Sequence, residues 1–300
     1  MRIKQLLGRI FCSVLALSIV WTLIHYAFPQ DPDSLGGKAQ TPNRKFAVLV
    51  GVRDYGGSLG TLQYTVMDAR EMEATLKNEL GFSPTNIHIL ASDEIEVLKR
   101  PNKKNILRAL DEVCGQAKAG DLILVQLSGH GMQLNGNGKG IAVFCPEDVD
   151  RDDLYRTTIP LSEIQDKLNH SPATFKLFIV DACRTLPSKA PDLAPIETLN
   201  EPPFGMALLQ SCGRGETSWD DKELEHGVFS HFLIRGLKGD ADTDHDGQIT
   251  LLELCKWVNP EVQRWVKQKY RDTQRPYFSC EMTDLILRTD VNIIIAMELF

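Results

Sequence analysis

The chain has 300 residues, 43% hydrophobic and 24% charged, which suits one large or two modest globular domains and excludes disorder and a collagen-like repeat. Lysine plus arginine number 33 against 40 aspartate plus glutamate, so the net charge of -7 gives no general electrostatic ground for a nucleic-acid partner. Seven cysteines spread from Cys12 to Cys280 lack the density of a disulfide scaffold and the close spacing of a zinc site.

In chain order, residues 1–9 form a basic flank carrying Arg2, Lys4 and Arg9. The apolar run over 10–28 would span about 28 Å as a helix at about 1.5 Å per residue, enough to cross a bilayer. A cleaved signal peptide is the alternative. Its apolar core is usually only about 7–15 residues, however, and Tyr26-Ala27-Phe28 offers no small-residue pair to a peptidase. The expectation is a single-pass N-terminal membrane anchor with an exported, periplasmic or otherwise extracytoplasmic body. Lys38, Arg44 and Lys45 on the far side pull against that orientation. Residues 29–44, rich in Pro, Gly, Asp and Ser without periodicity, read as a flexible linker.

From Phe46 the text changes to FAVLVGV, a continuous apolar run of the kind expected when helices cover both faces of a strand. Similar runs at 86–90, 121–128, 141–144, 176–182 and 205–210 alternate with amphipathic stretches over 64–80, 102–117 and 161–169. This alternation predicts an α/β layered domain over 45–290: a mostly parallel central sheet flanked by helices on both faces, with chemistry at the carboxyl ends of the strands. Two of those ends carry reactive residues. One strand runs into Ser128-Gly129-His130-Gly131 and another into Asp181-Ala182-Cys183-Arg184. Residues two apart on a strand point to one side, so Ser128 pairs with His130 and Asp181 with Cys183, and parallel neighbours would present all four together.

Cys183 follows His130 by 53 positions, close to the separation of about 50 in caspase-type peptidases. With FAVLVGVRDYGG, Met67-Asp68-Ala69, LILVQLSGHG, LFIVDACR and GVFSHFLIRGLKGDADTDHDGQITLLEL, the chain resembles the caspase and metacaspase superfamily of cysteine peptidases, in particular its bacterial caspase-like members. The resemblance implies a caspase-like sandwich with a large-subunit-like part over 45–183, a Pro-rich linker over 184–204 and a small-subunit-like part over 205–290. It also implies protein or peptide substrates and no cofactor for catalysis. Cys183 would be the nucleophile and His130 its general base and acid. The backbone N–H groups of Gly131 and Cys183 would form the oxyanion hole, as in caspases. No sequence feature identifies a third residue orienting the imidazole.

Metacaspases, by the same resemblance, line the pocket for the residue before the scissile bond with acidic groups, and the matching positions are Asp68 and Asp181, with Ser128 as a polar neighbour. Carboxylates there favour Arg or Lys. Animal caspases bind aspartate through arginines, and Arg53 and Arg184 keep that reading open. So does DACRTL, which departs from the metacaspase DSCHSG. In the linker, Lys189 is a candidate self-cleavage site.

Residues 242–253 fit a twelve-position EF-hand calcium loop, with Asp242, Asp244, Asp246, Gln248 and Glu253 as candidate ligands and Gly247 at the sharp turn. Helical patterns flank it over 229–237 and 251–266. A metal-free turn is the alternative, since no second loop pairs with it. The tail over 291–300 is a buried strand or a docking segment, and the sequence is silent on oligomeric state. An inactive caspase-like fold serving as a calcium-responsive interaction module, and thiol-dependent acyl transfer to an acceptor other than water, stand as rival functions.

Overall fold

The structure, a computed structural model, describes residues 39–57, 59–136, 139–182, 202–213, 215–282 and 284–290. The expected anchor over 10–28, Cys183, Arg184, Lys189 and the tail over 291–300 lie outside the described residues. Among the described residues no helix is long and apolar enough to cross a membrane.

Six strands build the central sheet: β1 (Lys45–Gly51), β2 (Ile87–Ala91), β3 (Leu122–Gly129), β7 (Phe175–Ala182), β8 (Met206–Gln210) and β12 (Tyr277–Glu281). Their order is β12-β8-β7-β3-β1-β2, parallel throughout except for β12 at one edge. The strands β3, β7 and β8 are buried at every position, which is why their sequences are apolar without alternation. The two-residue period still sorts them. Ala47, Leu49, Leu122, Leu124, Leu177 and Ile179 face one core, and Phe46, Val48, Val50, Ile123, Val125 and Phe178 face the other.

On the first face lie α1 (Thr65–Asn78), α4 (Val228–Arg235) and α5 (Leu251–Tyr270), delivering Met72, Leu76, Phe229, Leu233, Leu254 and Val258. On the second lie α2 (Lys103–Gln116) and α3 (Leu161–His170), delivering Ile106, Leu110, Ile164 and Leu168. The expected mostly parallel sheet with helices on both faces is what forms. Because β1 has β2 on one side and β3 on the other, the chain changes direction there, and the crevice at the carboxyl ends of β1, β3 and β7 is the topological place for a site.

Two expectations are corrected. The run over 141–144 does not join the central sheet. It lies in β5 (Lys139–Phe144), antiparallel between β4 (Gly131–Gly136) and β6 (Ile159–Pro160), because β4 turns back directly after His130. The linker expected over 29–44 is docked from residue 39: the Gln40 N–H donates to the Asp284 carbonyl at 3.0 Å, the Asn43 N–H donates to Gly120 at 2.7 Å, and Arg44 pairs with Asp121 at 2.5 Å.

Candidate active site

The site grows from the ends of β1, β3 and β7. After Gly51 the chain loops to α1, and the Thr65 hydroxyl donates to the Val52 carbonyl at 2.9 Å, fixing the start of the helix that carries Asp68. In the same loop, Tyr55 Oη accepts the backbone N–H of His130 at 2.7 Å, and the two rings lie 4.8 Å apart. Gly129 is required here for space, since a Cβ would stand 2.9 Å from both the Phe144 ring and Tyr55 Oη. His130 is thus placed by its backbone before its ring is considered.

The imidazole has a partner that the sequence does not reveal. His130 Nε2 lies 2.7 Å from the carbonyl oxygen of Gly60. A carbonyl only accepts, so Nε2 carries the hydrogen and Nδ1 holds the free lone pair. Burial lowers the pKa of His130, with the Gly60 bond opposing, so the ring is neutral and basic at neutral pH. Ala182, the residue before Cys183, lines the same cavity as His130. Cys183 itself lies outside the described residues. Three of the five described cysteines do not compete for its role: burial pushes Cys114 up to about 11, Cys145 up to about 12 and Cys255 upward as well, so these three stay protonated. Cys280 is exposed on the edge strand β12.

Beside His130 opens a cavity of about 250 Å³ whose walls include Leu62, Thr65, Asp68, Asp181, Trp219 and Asp220. Asp68 is 1% exposed, so it is neither a solvated helix-face charge nor an N-cap. Asp181, the penultimate residue of β7, meets the first turn of α4, accepting from Ser218 Oγ at 2.8 Å and Ser230 Oγ at 2.6 Å. Asp220 arrives on a two-residue hairpin, β9 (Asp220–Asp221) against β10 (His226–Gly227), in register opposite Gly227. The three carboxylates converge there: a Cβ built on Gly227 would lie 3.2 Å from Asp68 Oδ2, 3.2 Å from Asp181 Oδ2 and 3.7 Å from Asp220 Oδ1. Ser128 pairs in register with Asp181 but is buried, its hydroxyl meeting Gln126 Nε2 at 3.3 Å, and it does not line the cavity. Gly131, the expected oxyanion donor, opens β4 directly after His130 and is half-buried.

The electrostatics separate the three cavity acids from the neighbouring Asp221. Burial raises Asp68 up to about 7 and Asp220 up to about 6, with Asp181 adding repulsion in both cases. Asp181 is also raised by burial, against its serine hydrogen bonds. The adjacent Asp221 accepts from Trp265 Nε1 at 2.8 Å, Tyr270 Oη at 2.9 Å and the Glu223 N–H at 2.6 Å, and despite burial falls to about 2. Asp221 is saturated by its own fold. The other three crowd carboxyl groups around a space, and burial together with their mutual repulsion disfavours their ionised forms.

A caspase-domain family model matches residues 44–287. The chain belongs to the caspase-domain family of peptidases. Among curated relatives, this caspase domain is 41% identical to Metacaspase-4 of Arabidopsis thaliana over 90 residues, 30% of this chain and 21% of that one. It is 31% identical to Metacaspase-1 of the same plant over 197 residues, 62% of this chain and 47% of that one, and 34% identical to Metacaspase-1 of Candida glabrata over 95 residues, 32% and 24% respectively. The chain therefore spans about a fifth to a half of the length of these relatives.

The acidic loop of this caspase domain, none of whose residues lines the cavity, brings oxygens of Asp242, Asp244 and Asp246 within 4.8 Å of one another. Gly247 takes φ 80°, and β11 (Gln248–Thr250) pairs antiparallel with β13 (Ile286–Thr289). Glu253 lies outside that oxygen group. Its Oε2 accepts from the Thr250 N–H at 2.9 Å in a capping box for α5, while Oε1 and Asp242 Oδ1 are buried without partners. The donors suit a hard cation, and the loop is closed by hydrogen bonds such as Gly247 N–H to Asp242 Oδ2 at 3.2 Å.

Proposed function

We propose that this caspase domain is a cysteine endopeptidase that cuts after Arg or Lys. The observation that carries the reading is the convergence of Asp68, Asp181 and Asp220 around Gly227 in a cavity shared with His130. A guanidinium or ammonium entering there exchanges hydration for charge-assisted hydrogen bonds and lifts the repulsion among three buried acids. Arg53 gives no support to cleavage after Asp, because it pairs with Asp54 at 3.0 Å and does not line the cavity.

In the proposed cycle the Cys183 thiol passes its proton to His130 Nδ1 and the sulfur attacks the scissile carbonyl, whose oxyanion is met by the backbone N–H of Gly131 and Cys183. The C–N bond breaks as His130 returns the proton to the leaving amine. Water then attacks the thioester, His130 takes its proton, and the carboxyl product leaves with the thiol restored. The Gly60 carbonyl holds the ring through both steps and stabilises the imidazolium that forms transiently within each. Fluorogenic peptides differing only in Arg, Lys or Asp before the reporter test the reading with wild type and Cys183→Ala. Thiol-dependent release from Arg or Lys is expected. Release from Asp alone, or from none, removes it, the last result favouring an inactive interaction module.

The proposal extends to a structural calcium ion held by Asp242, Asp244 and Asp246, with Gln248 offering its carbonyl and Glu253 entering if it leaves Thr250. Three crowded carboxylates and two buried orphan oxygens support it. Calcium is expected to raise the melting temperature of wild type and not of Asp242→Ala; equal curves with and without calcium in wild type remove the ion. It extends also to a membrane tether over 10–28. The full chain is expected to stay in the pellet after alkaline carbonate extraction, and recovery in the supernatant removes the tether.

A further inference from the structure

The cavity acids do not stand alone, and the chain of contacts behind them leads to the surface. His226 Nδ1 lies 2.6 Å from Asp68 Oδ1, and His226 Nε2 lies 2.7 Å from Glu71 Oε2. The second oxygen of Glu71 is 2.5 Å from Lys238 Nζ, which is exposed. An unbroken line of side chains, Asp68–His226–Glu71–Lys238, therefore joins the floor of the cavity to solvent. We propose that a basic substrate side chain and a proton compete for the Asp68–His226 pair, so that filling the cavity expels a proton through His226 toward Glu71, with His226 acting as a positioning residue. The proposal rests on the basic-pocket reading above and adds the group that sets the charge of that pocket.

The surroundings decide how the pair titrates. Asp68 faces Asp181 from β7 and Asp220 from β9, both carboxyls themselves raised by burial, and shares the cavity with His130. His226 faces Glu71 on α1 and His231 and Arg235 on α4, which share a second cavity of about 140 Å³ with it. Burial, His226 and Arg235 hold His231 below its usual range, so His231 is not the proton carrier. Burial opposes a proton on His226, but the hydrogen bond and charge of Asp68, and then Glu71, outweigh it and raise the pKa. Asp68 is raised as well, to about 7. Both members of the pair thus retain protons into the neutral range when the cavity is empty, and they titrate together. A cation at the point of convergence favours the ionised carboxylate, so binding strengthens as pH rises through neutrality and weakens below it.

The test uses the full-length Cys183→Ala protein, which binds without cutting, and two peptide amides ending in arginine or norleucine. Calorimetry at pH 6, 7 and 8, each in two buffers of different ionisation enthalpy, gives affinity and protons released. The arginyl peptide is expected to bind about tenfold more tightly at pH 8 than at pH 6, releasing protons most strongly below neutrality, while the norleucyl peptide shows no trend. Glu71→Gln removes the anion that favours a proton on His226, so the midpoint moves to lower pH. Lys238→Met removes the cation that restrains Glu71, so the midpoint moves to higher pH. In a His226→Asn background both shifts vanish. An arginyl affinity equal at pH 6 and 8, shifts of the same sign in the two variants, or shifts that persist without His226 overturn the relay while leaving a basic pocket in place. An arginyl peptide that binds no better than norleucyl at pH 8 overturns the basic pocket itself.

Discussion

Replacing His130 with alanine is expected to lower kcat/KM for an arginyl substrate by about a thousandfold or more, chiefly through kcat, because the acylation and deacylation steps lose their proton carrier together. Combining His130→Ala with Cys183→Ala is expected to cost little beyond the larger single effect, since the two act as one unit. The geometry adds a pH signature. Burial lowers the pKa of His130, and the base is active when neutral, so the ascending limb for kcat on a substrate with a neutral residue before the cut lies below the ordinary histidine value of about 6.5. Stopped-flow turnover from pH 5 to 8 measures it. A limb above that value contradicts the neutral, Gly60-anchored ring, and a His130→Ala protein with wild-type kcat removes the dyad.

Gly227→Ala is expected to abolish most cleavage after Arg and Lys, by about a hundredfold or more in kcat/KM, without unfolding the protein. Gly227 has φ -60° and ψ 134°, which alanine adopts freely, so the backbone does not demand glycine. The demand comes from the acids: the added methyl would sit at 3.2 Å from Asp68 Oδ2 and Asp181 Oδ2, crowding the oxygens that a cationic head group would use in the proposed reading. Loss of one partner from a buried charge pair costs about 2–5 kcal/mol, which sets the size of the effect. A melting temperature near wild type, with KM for an arginyl substrate raised or activity gone, is the expected pattern. Unchanged KM would mean that the charged side chain binds elsewhere.

The layered fold was legible because fully buried parallel strands leave an unmistakable apolar text, and the runs leading into His130 and Asp181 mark β3 and β7 nearly to the residue. The run over 141–144 shows the limit of that reading. Four apolar residues look alike whether they enter a central sheet or an antiparallel flap, and only the reversal after His130 decides between them. Docking of residues 39–44 was equally hidden, since Gln40 and Asn43 are held through backbone groups that carry no side-chain signature. Asp68 and Asp181 were reachable through the family resemblance. Asp220 was not, because WDDKELEH reads as an acidic surface turn and nothing in it distinguishes Asp220 from Asp221.

Sequence alone determined the reactive residue types and their order along the chain: SGHG at one strand end, DACR at the next, and a glycine before the helix that begins VFSH. The tertiary structure decided what those residues face. It turned Asp220 toward the empty space and wrapped Asp221 in donors, gave His130 a carbonyl partner on Gly60, and set His226 between a buried acid and a surface one. The physical reason is that charge state depends on burial and on neighbours brought from distant parts of the chain, and a linear text records neither until the fold has closed around them.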